Sequence, residues 1–441
     1  MEKRGLVFIT GILLGLVSMN LKAQNPNTLI VKSLDSILAI GIQSNPNYSV
    51  YKQQTQIALI NLKTARSTWF PSISGSLNGQ DNTHLATTPI PGVLIGKPGT
   101  TYNAQFGTKY NYTTGLTLQK DLLSWQNYLQ IKLAKGNLNL TEVQSDAYVQ
   151  SLKEQIAKLY FSILVAKASL DLGEKNKRIA DSLVQIAQNK LDQGNSDALN
   201  FNQSKINYNT VIQNIAQSRE LYDQGIENLK ILLGEKGNRE LIIQDQLFTD
   251  SGYYFHHQDL KPDKNLETYK QEFINSGLQA QIQKSAFLPK LSFQSYLGAS
   301  QYRNDFGFSL NSNNWNKVSY LGLNLSVPIF TGFSNLNKFK SAMGQYNLAK
   351  TQYESAQNQS FIQDELLLKT DLDLMEMVNA SRSGYKLYQK NLELNRQKFN
   401  EGIASLDIYL KSFQDYINSE NIYLNNLSNF LSNKATLISR Q

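Results

Sequence analysis

Cysteine is absent from this 441-residue chain, and proline (9), methionine (5), tryptophan (3) and histidine (3) are scarce. Without cysteine there is no disulfide framework, no thiol nucleophile and no cysteine to carry a lipid. Few methionines and no thiols leave a soft-metal relay without its ligands. Of the three histidines, His84 falls in a loop of the first half, and His256-His257 fall between the halves. His84 is expected to be exposed on the outside, and His256-His257 have no acidic or histidine partner at ligand spacing, so no metal site is expected. Gly-x-Ser-x-Gly and His-Glu-x-x-His are both missing. Residues 91–98 place Pro91 where a phosphate loop starts with glycine and Pro98 where it needs serine or threonine. The acidic residues Asp371 and Asp373 lie on a long polar helix, where a solvated face is the ordinary reading. No catalytic residue, no cofactor and no enzymatic activity is expected. The net charge of +8 is spread along the chain, with no basic cluster interleaved with aromatics, so no nucleic-acid partner is expected.

Long hydrophobic runs are also lacking, and mean hydropathy is −0.37. The one apolar stretch, Leu6 to Val17, follows Lys3 and Arg4 and precedes Leu21-Lys22-Ala23. It is shorter than the ~20 residues of a spanning helix, and residues 1–23 read as a secretory signal. Any other membrane crossing then has to be made by β-strands.

What the chain does contain is written twice. Asn47-Tyr48-Ser49-Val50-Tyr51-Lys52-Gln53 resembles Asn265-Leu266-Glu267-Thr268-Tyr269-Lys270-Gln271, and Ser67 and Pro71 match Ser285 and Pro289 at the same offset. Further on, Gly115-Leu116-Thr117-Leu118 matches Gly322-Leu323-Asn324-Leu325, and Lys190 to Gly194 matches Lys398 to Gly402. The offset shortens in between, so the first half has the longer loop after its proline. Boundaries follow: a first repeat over 24–234, a connector over 235–264 and a second repeat over 265–441.

Each repeat reads helix, strand, loop, strand, long helix, turn, long helix. The strands are expected at about 71–82, 108–120, 289–302 and 317–329. They alternate: Tyr110, Tyr112, Thr114, Leu116 and Leu118 share one face, and Asn111, Thr113, Gly115, Thr117 and Gln119 the other. Leu291, Phe293 and Leu297 oppose Ser292, Gln294 and Ser300, while Leu321, Leu323, Leu325 and Val327 oppose Tyr320, Gly322, Asn324 and Ser326. A membrane barrel needs this dyad, apolar to lipid and polar to the lumen. A soluble sheet with one buried face needs it too. On the barrel reading, the lipid-facing residues are Tyr110, Tyr112, Leu116, Leu118, Leu291, Phe293, Leu321, Leu323, Leu325 and Val327.

No proline falls between Leu123 and Gly194. Such a run can form a helix on the order of 100 Å long at ~1.5 Å per residue. Apolar residues recur at steps of three and four, as in Leu152, Ile156, Leu159 and Ile163, and in Phe413, Ile417, Leu424, Leu427 and Leu431, where Glu420 fills the skipped place. This is coiled-coil spacing. Gly194 and Gly402 end helices by left-handed caps, and Ser196 or Asp197, and Ser405, can cap the helices that follow. Four strands leave two bare edges, which lipid does not tolerate, so other copies must complete the ring. Two copies supply eight strands, enough only for a side-chain-filled barrel, so an open duct needs more.

This order of parts resembles the TolC family of outer-membrane factors. The resemblance rests on Asn45-Pro46, on Trp69-Phe70-Pro71 and Phe287-Leu288-Pro289 entering strands, on Leu323 to Gly332 leaving the fourth, and on the two glycine turns. It implies an α+β membrane protein acting as a homotrimer. Its 12-stranded outer-membrane β-barrel would continue into a 12-helix periplasmic α-barrel. The implied function is the passive outer-membrane duct of a tripartite efflux pump or type I secretion system. Implied partners are outer-membrane lipid, a periplasmic adaptor protein and an inner-membrane pump. The other reading is a secreted or periplasmic coiled-coil protein with no channel.

The family draws helices together near the glycine turns to close its periplasmic end. Carried over, the tip residues here are Gly194, Asp197, Asn200, Phe399, Gly402, Asp407, Ile408 and Lys411. The chain departs from the best-known member, having Ile408 and Lys411 in place of two carboxylates, and Phe399 and Ala404 in place of a latching Tyr and Arg. Asp197, Asp407 and Lys411 are then expected to set the field at the constriction; the other reading is that they cap helices or face outward.

Overall fold

Asn45 and Pro46 set the first helix boundary. Proline disfavours helix in the residue before it and is at home in the first turn. Asn45 accordingly takes an extended conformation, and its side chain accepts the Tyr48 N–H at 2.8 Å. The computed structural model describes residues 28–235, 237, 239–247 and 260–441. The expected signal segment, its cleavage site and His256-His257 lie outside these residues.

The strands are β1 (Thr28–Val31), β2 (Ser72–Asp81), β3 (Thr87–Pro91), β4 (Thr101–Gln105), β5 (Tyr110–Leu123), β6 (Glu240–Ile243), β7 (Lys290–Arg303) and β8 (Asn316–Ser326). The helices are α1 (Leu34–Ser44), α2 (Pro46–Ser67), α3 (Trp125–Asp192), α4 (Ala198–Leu233), α5 (Lys264–Ser285), α6 (Ser334–Asn400) and α7 (Leu406–Ser439). Helix, strand, strand, long helix and shorter helix thus occur twice. The first loop holds the β3–β4 hairpin and a 3-10 turn, whereas its counterpart holds a 3-10 turn alone. That accounts for the extra length of the first half. The connector is more structured than expected, because β6 pairs in parallel with β1, Thr28 opposite Glu240 through Val31 opposite Ile243.

Contacts divide the chain into two units. The first contains β1, α1, β6, α4, α3 from Ile156 onward, α6 from Gly384 onward and α7 as far as Ser428. Its core runs along the heptad stripes. Leu183 and Ala187 of α3, Val211 of α4, Leu392 of α6 and Leu410 and Phe413 of α7 are buried together in one cluster. Helices that repeat apolar residues every three to four positions bury that stripe against one another. Around the parallel pair, Lys167 donates to the carbonyls of Ile243 (3.0 Å) and Asp245 (3.3 Å), and the Tyr160 hydroxyl donates to the Asp245 carboxylate.

The second unit contains α2, α5, the remaining parts of α3, α6 and α7, and the larger sheet. That sheet is antiparallel in the order β2-β5-β7-β8. Rather than lying on the solvated face expected of a polar helix, Asp371 is 2% exposed, and its carboxylate accepts from Lys434 Nζ at 2.7 Å. Asn433 Nδ2 also donates to Asp371, at 3.3 Å. A buried carboxylate needs such a partner, because an isolated charge away from water is costly. Nearby, Arg440 holds Asp364 through two parallel bonds of 2.9 and 3.0 Å and donates to the Lys261 carbonyl at 2.9 Å.

Candidate functional site: a two-faced sheet and a pair of glycine turns

Directly opposed residues of an antiparallel pair project to the same face, so the register assigns every side chain of the sheet. Leu118 opposes Ile73 on one side and Ser295 on the other, and Leu116 opposes Leu297. Leu321 opposes Ser295, Leu323 opposes Phe293 and Leu325 opposes Leu291. Ile73, Leu77, Leu116, Leu118, Leu291, Phe293, Leu297, Leu321, Leu323 and Leu325 therefore lie on one face. The other face carries Ser72, Ser74, Ser76, Asn78, Thr113, Thr117, Gln119, Ser292, Gln294 and Asn324, with Tyr296 stacked on Tyr320 at 5.7 Å. The apolar face is bare: Leu321 is 76% and Leu323 69% exposed. Val327 lies just past β8 and is also exposed.

Charges on the apolar face sit toward its ends. Lys120 opposes Phe293 at one end, and Arg303 opposes Tyr110 and Lys317 opposes Ala299 at the other. The strands have 10, 14, 14 and 11 residues, against the ~9–11 that a tilted strand needs to cross a bilayer core. Among the described residues, the outer edges of β2 and β8 have no strand partner.

Tyr112 departs from its expected place against lipid. It is 9% exposed, its ring meets Phe308 at 5.7 Å, and its hydroxyl accepts the Gly307 N–H at 3.0 Å. Its register partner Gln301 is buried by the same 304–315 loop, accepting the Ser309 N–H at 2.7 Å. The loop folds back over this end of the sheet because these polar groups bond its backbone. Tyr110 is partly covered by Phe306, 5.6 Å away in edge contact.

The glycine turns belong to the first unit. Gly194 (φ 70°) and Gly402 (φ 75°) take left-handed conformations. At the first turn the Asn195 N–H bonds the Lys190 carbonyl at 2.8 Å, and at the second the Ile403 N–H bonds the Lys398 carbonyl at 2.8 Å. These are matching helix ends that a residue with a Cβ adopts only at a cost. Of the two cap candidates at the first turn, Asp197 is used: it accepts the Asn200 N–H at 3.0 Å, while Asn200 Nδ2 donates to Ser196 Oγ at 3.2 Å. Phe399 is packed rather than presented, with Tyr409 at 5.5 Å and Lys190 Nζ 5.3 Å over its ring.

Asp407, Ile408 and Lys411 fall together on the exposed side of α7, continued by Gln414 and Asn418. Lys411 Nζ lies 3.7 Å from Asp415, a loose and exposed pair. The opposite side of α7 is buried and carries a polar centre that the sequence signals only by its skipped heptad place. Glu420 accepts from Asn176 Nδ2 and from the Tyr416 hydroxyl, both at 2.8 Å, and Tyr385 stacks on both Tyr416 and Tyr423. Burial pushes the Glu420 carboxyl up, against the opposing pull of those hydrogen bonds and of Lys175. Burial likewise raises the Tyr416 phenol, and the Glu420 charge adds to it. Among the described residues no helix is long and apolar enough to cross a membrane, and no group of three or more side chains could hold a metal ion.

The chain matches the outer membrane efflux protein family over residues 41–235 and 260–439. It is 18% identical to the outer membrane protein TolC of Vibrio cholerae over 314 residues, 69% of this chain and 68% of that protein. Its fold is similar to the crystal structure of the outer membrane channel CmeC of Campylobacter jejuni, with a TM-score of 0.75 and 16% identity, covering 92% of this chain and 85% of that one. It is equally similar to the outer membrane protein VceC of Vibrio cholerae, with a TM-score of 0.75 and 15% identity, covering 92% and 95%.

Proposed function

The chain belongs to the outer membrane efflux protein family and is an outer-membrane export channel, and from that premise we propose that three copies form one continuous passive duct. Each copy contributes four strands to a twelve-stranded barrel through the outer membrane and four helices to a tunnel across the periplasm. The observation that supports this reading is the sheet itself. It has one apolar face, one polar face and two unpaired edges among the described residues. Unpaired backbone cannot be left in lipid, and twelve strands leave a bore that eight do not. The duct performs no chemistry. Energy and cargo come from an inner-membrane pump reached through a periplasmic adaptor protein.

Asp407, Ile408 and Lys411 line the narrow periplasmic end in this reading, with the Asp197 charge held at the start of α4. Three copies place three like charges of each kind around a narrow passage, where they act strongly on ions. Planar-bilayer recording tests both statements. Purified protein is expected to give discrete conductance steps, and Lys411→Ala to shift the channel toward cations. Absence of any conductance counts against the duct. Unchanged selectivity in Lys411→Ala counts against the placement of that residue.

A further inference from the structure

Just beyond the sheet, the ends of three helices leave a groove of about 670 Å³, within the usual range for a ligand pocket. Trp125 and Tyr128 open α3, Phe287 and Leu288 follow the end of α5, and Leu336 and Phe339 open α6. All six line the groove. Its position is fixed by the strands: Trp125 is two residues past the end of β5, and Leu288 is two residues before the start of β7. Leu123 and Leu291, paired across those strands, form the adjoining end of the sheet's apolar face. The groove therefore continues that face where the strands give way to helices.

Two cations stand at this otherwise greasy site. Lys132 and Lys284 both line it and are both exposed. Lys132 Nζ sits 4.7 Å over the Tyr128 ring, and Trp125 packs edge-on against the same ring at 6.1 Å. Paired tryptophan and tyrosine suit the headgroup level of a bilayer, with their apolar bodies toward the chains and their polar ends toward water. A patch of one charge sign beside a continuous apolar slot complements an amphiphile of the opposite sign.

We infer that this groove is a binding site for an anionic phospholipid of the inner leaflet of the outer membrane. An acyl chain lies along Trp125, Phe287, Leu288 and Phe339, and the phosphate lies between Lys132 and Lys284. This rests on the membrane reading above, and the test separates the two. Replacing Trp69 and Trp315 by Phe leaves Trp125 as the only tryptophan. The protein is reconstituted with phosphatidylglycerol or phosphatidylcholine brominated on the acyl chains, and Trp125 quenching is titrated. Quenching by the anionic lipid is expected at roughly tenfold lower mole fraction at low salt. Lys132→Gln with Lys284→Gln is expected to abolish that preference while sparing quenching by phosphatidylcholine. A companion protein carries Trp125→Phe and Leu323→Trp, reporting from the sheet's apolar face.

Equal quenching by both lipids, unaffected by the lysine changes, would overturn the site and leave only general lipid contact. An unquenched Trp125 beside a quenched residue 323 would also overturn it, as when a second copy of the chain fills the groove. If neither position is quenched, the membrane reading itself fails and the site fails with it.

Discussion

Glu420 occupies a place in α7 where the heptad pattern calls for a hydrophobe, and the buried amide and phenol around it make that place tolerable. Its carboxyl is held above the usual range chiefly by burial. A carboxyl raised in the folded chain binds its proton more tightly when folded. Its contribution to stability is full below the ordinary carboxylate range and is lost as pH rises through the raised value. Glu420→Gln keeps hydrogen-bonding capacity and removes the titration. Thermal unfolding of the helices, followed by circular dichroism at about pH 5 and about pH 8, is expected to depend less on pH in the variant, with the variant relatively more stable at the higher pH. The Asp371–Lys434 pair, 2% and 3% exposed, gives a second residue-scale expectation. Lys434→Ala strands a buried carboxylate and should cost about 3–5 kcal/mol in denaturant unfolding, whereas Asp371→Leu with Lys434→Met should be close to neutral. The skipped heptad place at Glu420 is visible in the sequence, but its partner Asn176 is 244 residues away. Asp371 is read wrongly from the sequence for the same reason. A polar helix looks solvated until the distant lysine that covers one of its carboxylates is known.

At the scale of elements, the glycine turns and the alternating strands carry most of what was legible. A left-handed cap needs glycine almost irrespective of its surroundings, so Gly194 and Gly402 could be placed from spacing alone. Gly402→Ala forces a Cβ into that conformation and should destabilise the α6–α7 turn by about 1 kcal/mol. Asp197→Ala removes the cap of α4, at a cost of about 1 kcal/mol. Local hydrogen exchange at the two turns reads both losses. Alternation was legible because each face of the sheet meets a single environment. It follows that Leu323→Lys, in the middle of the apolar face, should cost about 2–4 kcal/mol in membrane-embedded folding. Asn324→Lys, one residue on and facing the other way, should be tolerated. Heat-modified gel mobility after refolding into lipid compares the two. The elements that escaped the sequence reading are the β3–β4 hairpin, which lies in a segment read as loop, and the pair β1 and β6. β1 and β6 have four residues each, too few for a period to show, and each is ordered by a partner far away in the chain. Tyr112 fits the alternation, yet is covered by a loop whose path no alternation encodes.

For the whole molecule, duplication is the organising fact. One helix–strand–strand–helix–helix plan, used twice, puts the four long strands side by side, and that count is insufficient for closure. Closure therefore depends on β8 of one copy meeting β2 of the next. The two strands run antiparallel, as the order β2-β5-β7-β8 of successive antiparallel pairs requires. Because the chain has no cysteine, this junction can be probed without background. Single cysteines at Ser74, Ser76 or Asn78 on β2 are combined in turn with single cysteines at Tyr320, Gly322 or Asn324 on β8, all on the polar face. The combinations are oxidised in native outer membranes and resolved on denaturing gels without reductant. For at least one combination, closure by sister copies predicts covalent dimers and trimers and no larger species. A result confined to monomers across all nine combinations, with the protein folded in the membrane, would contradict it.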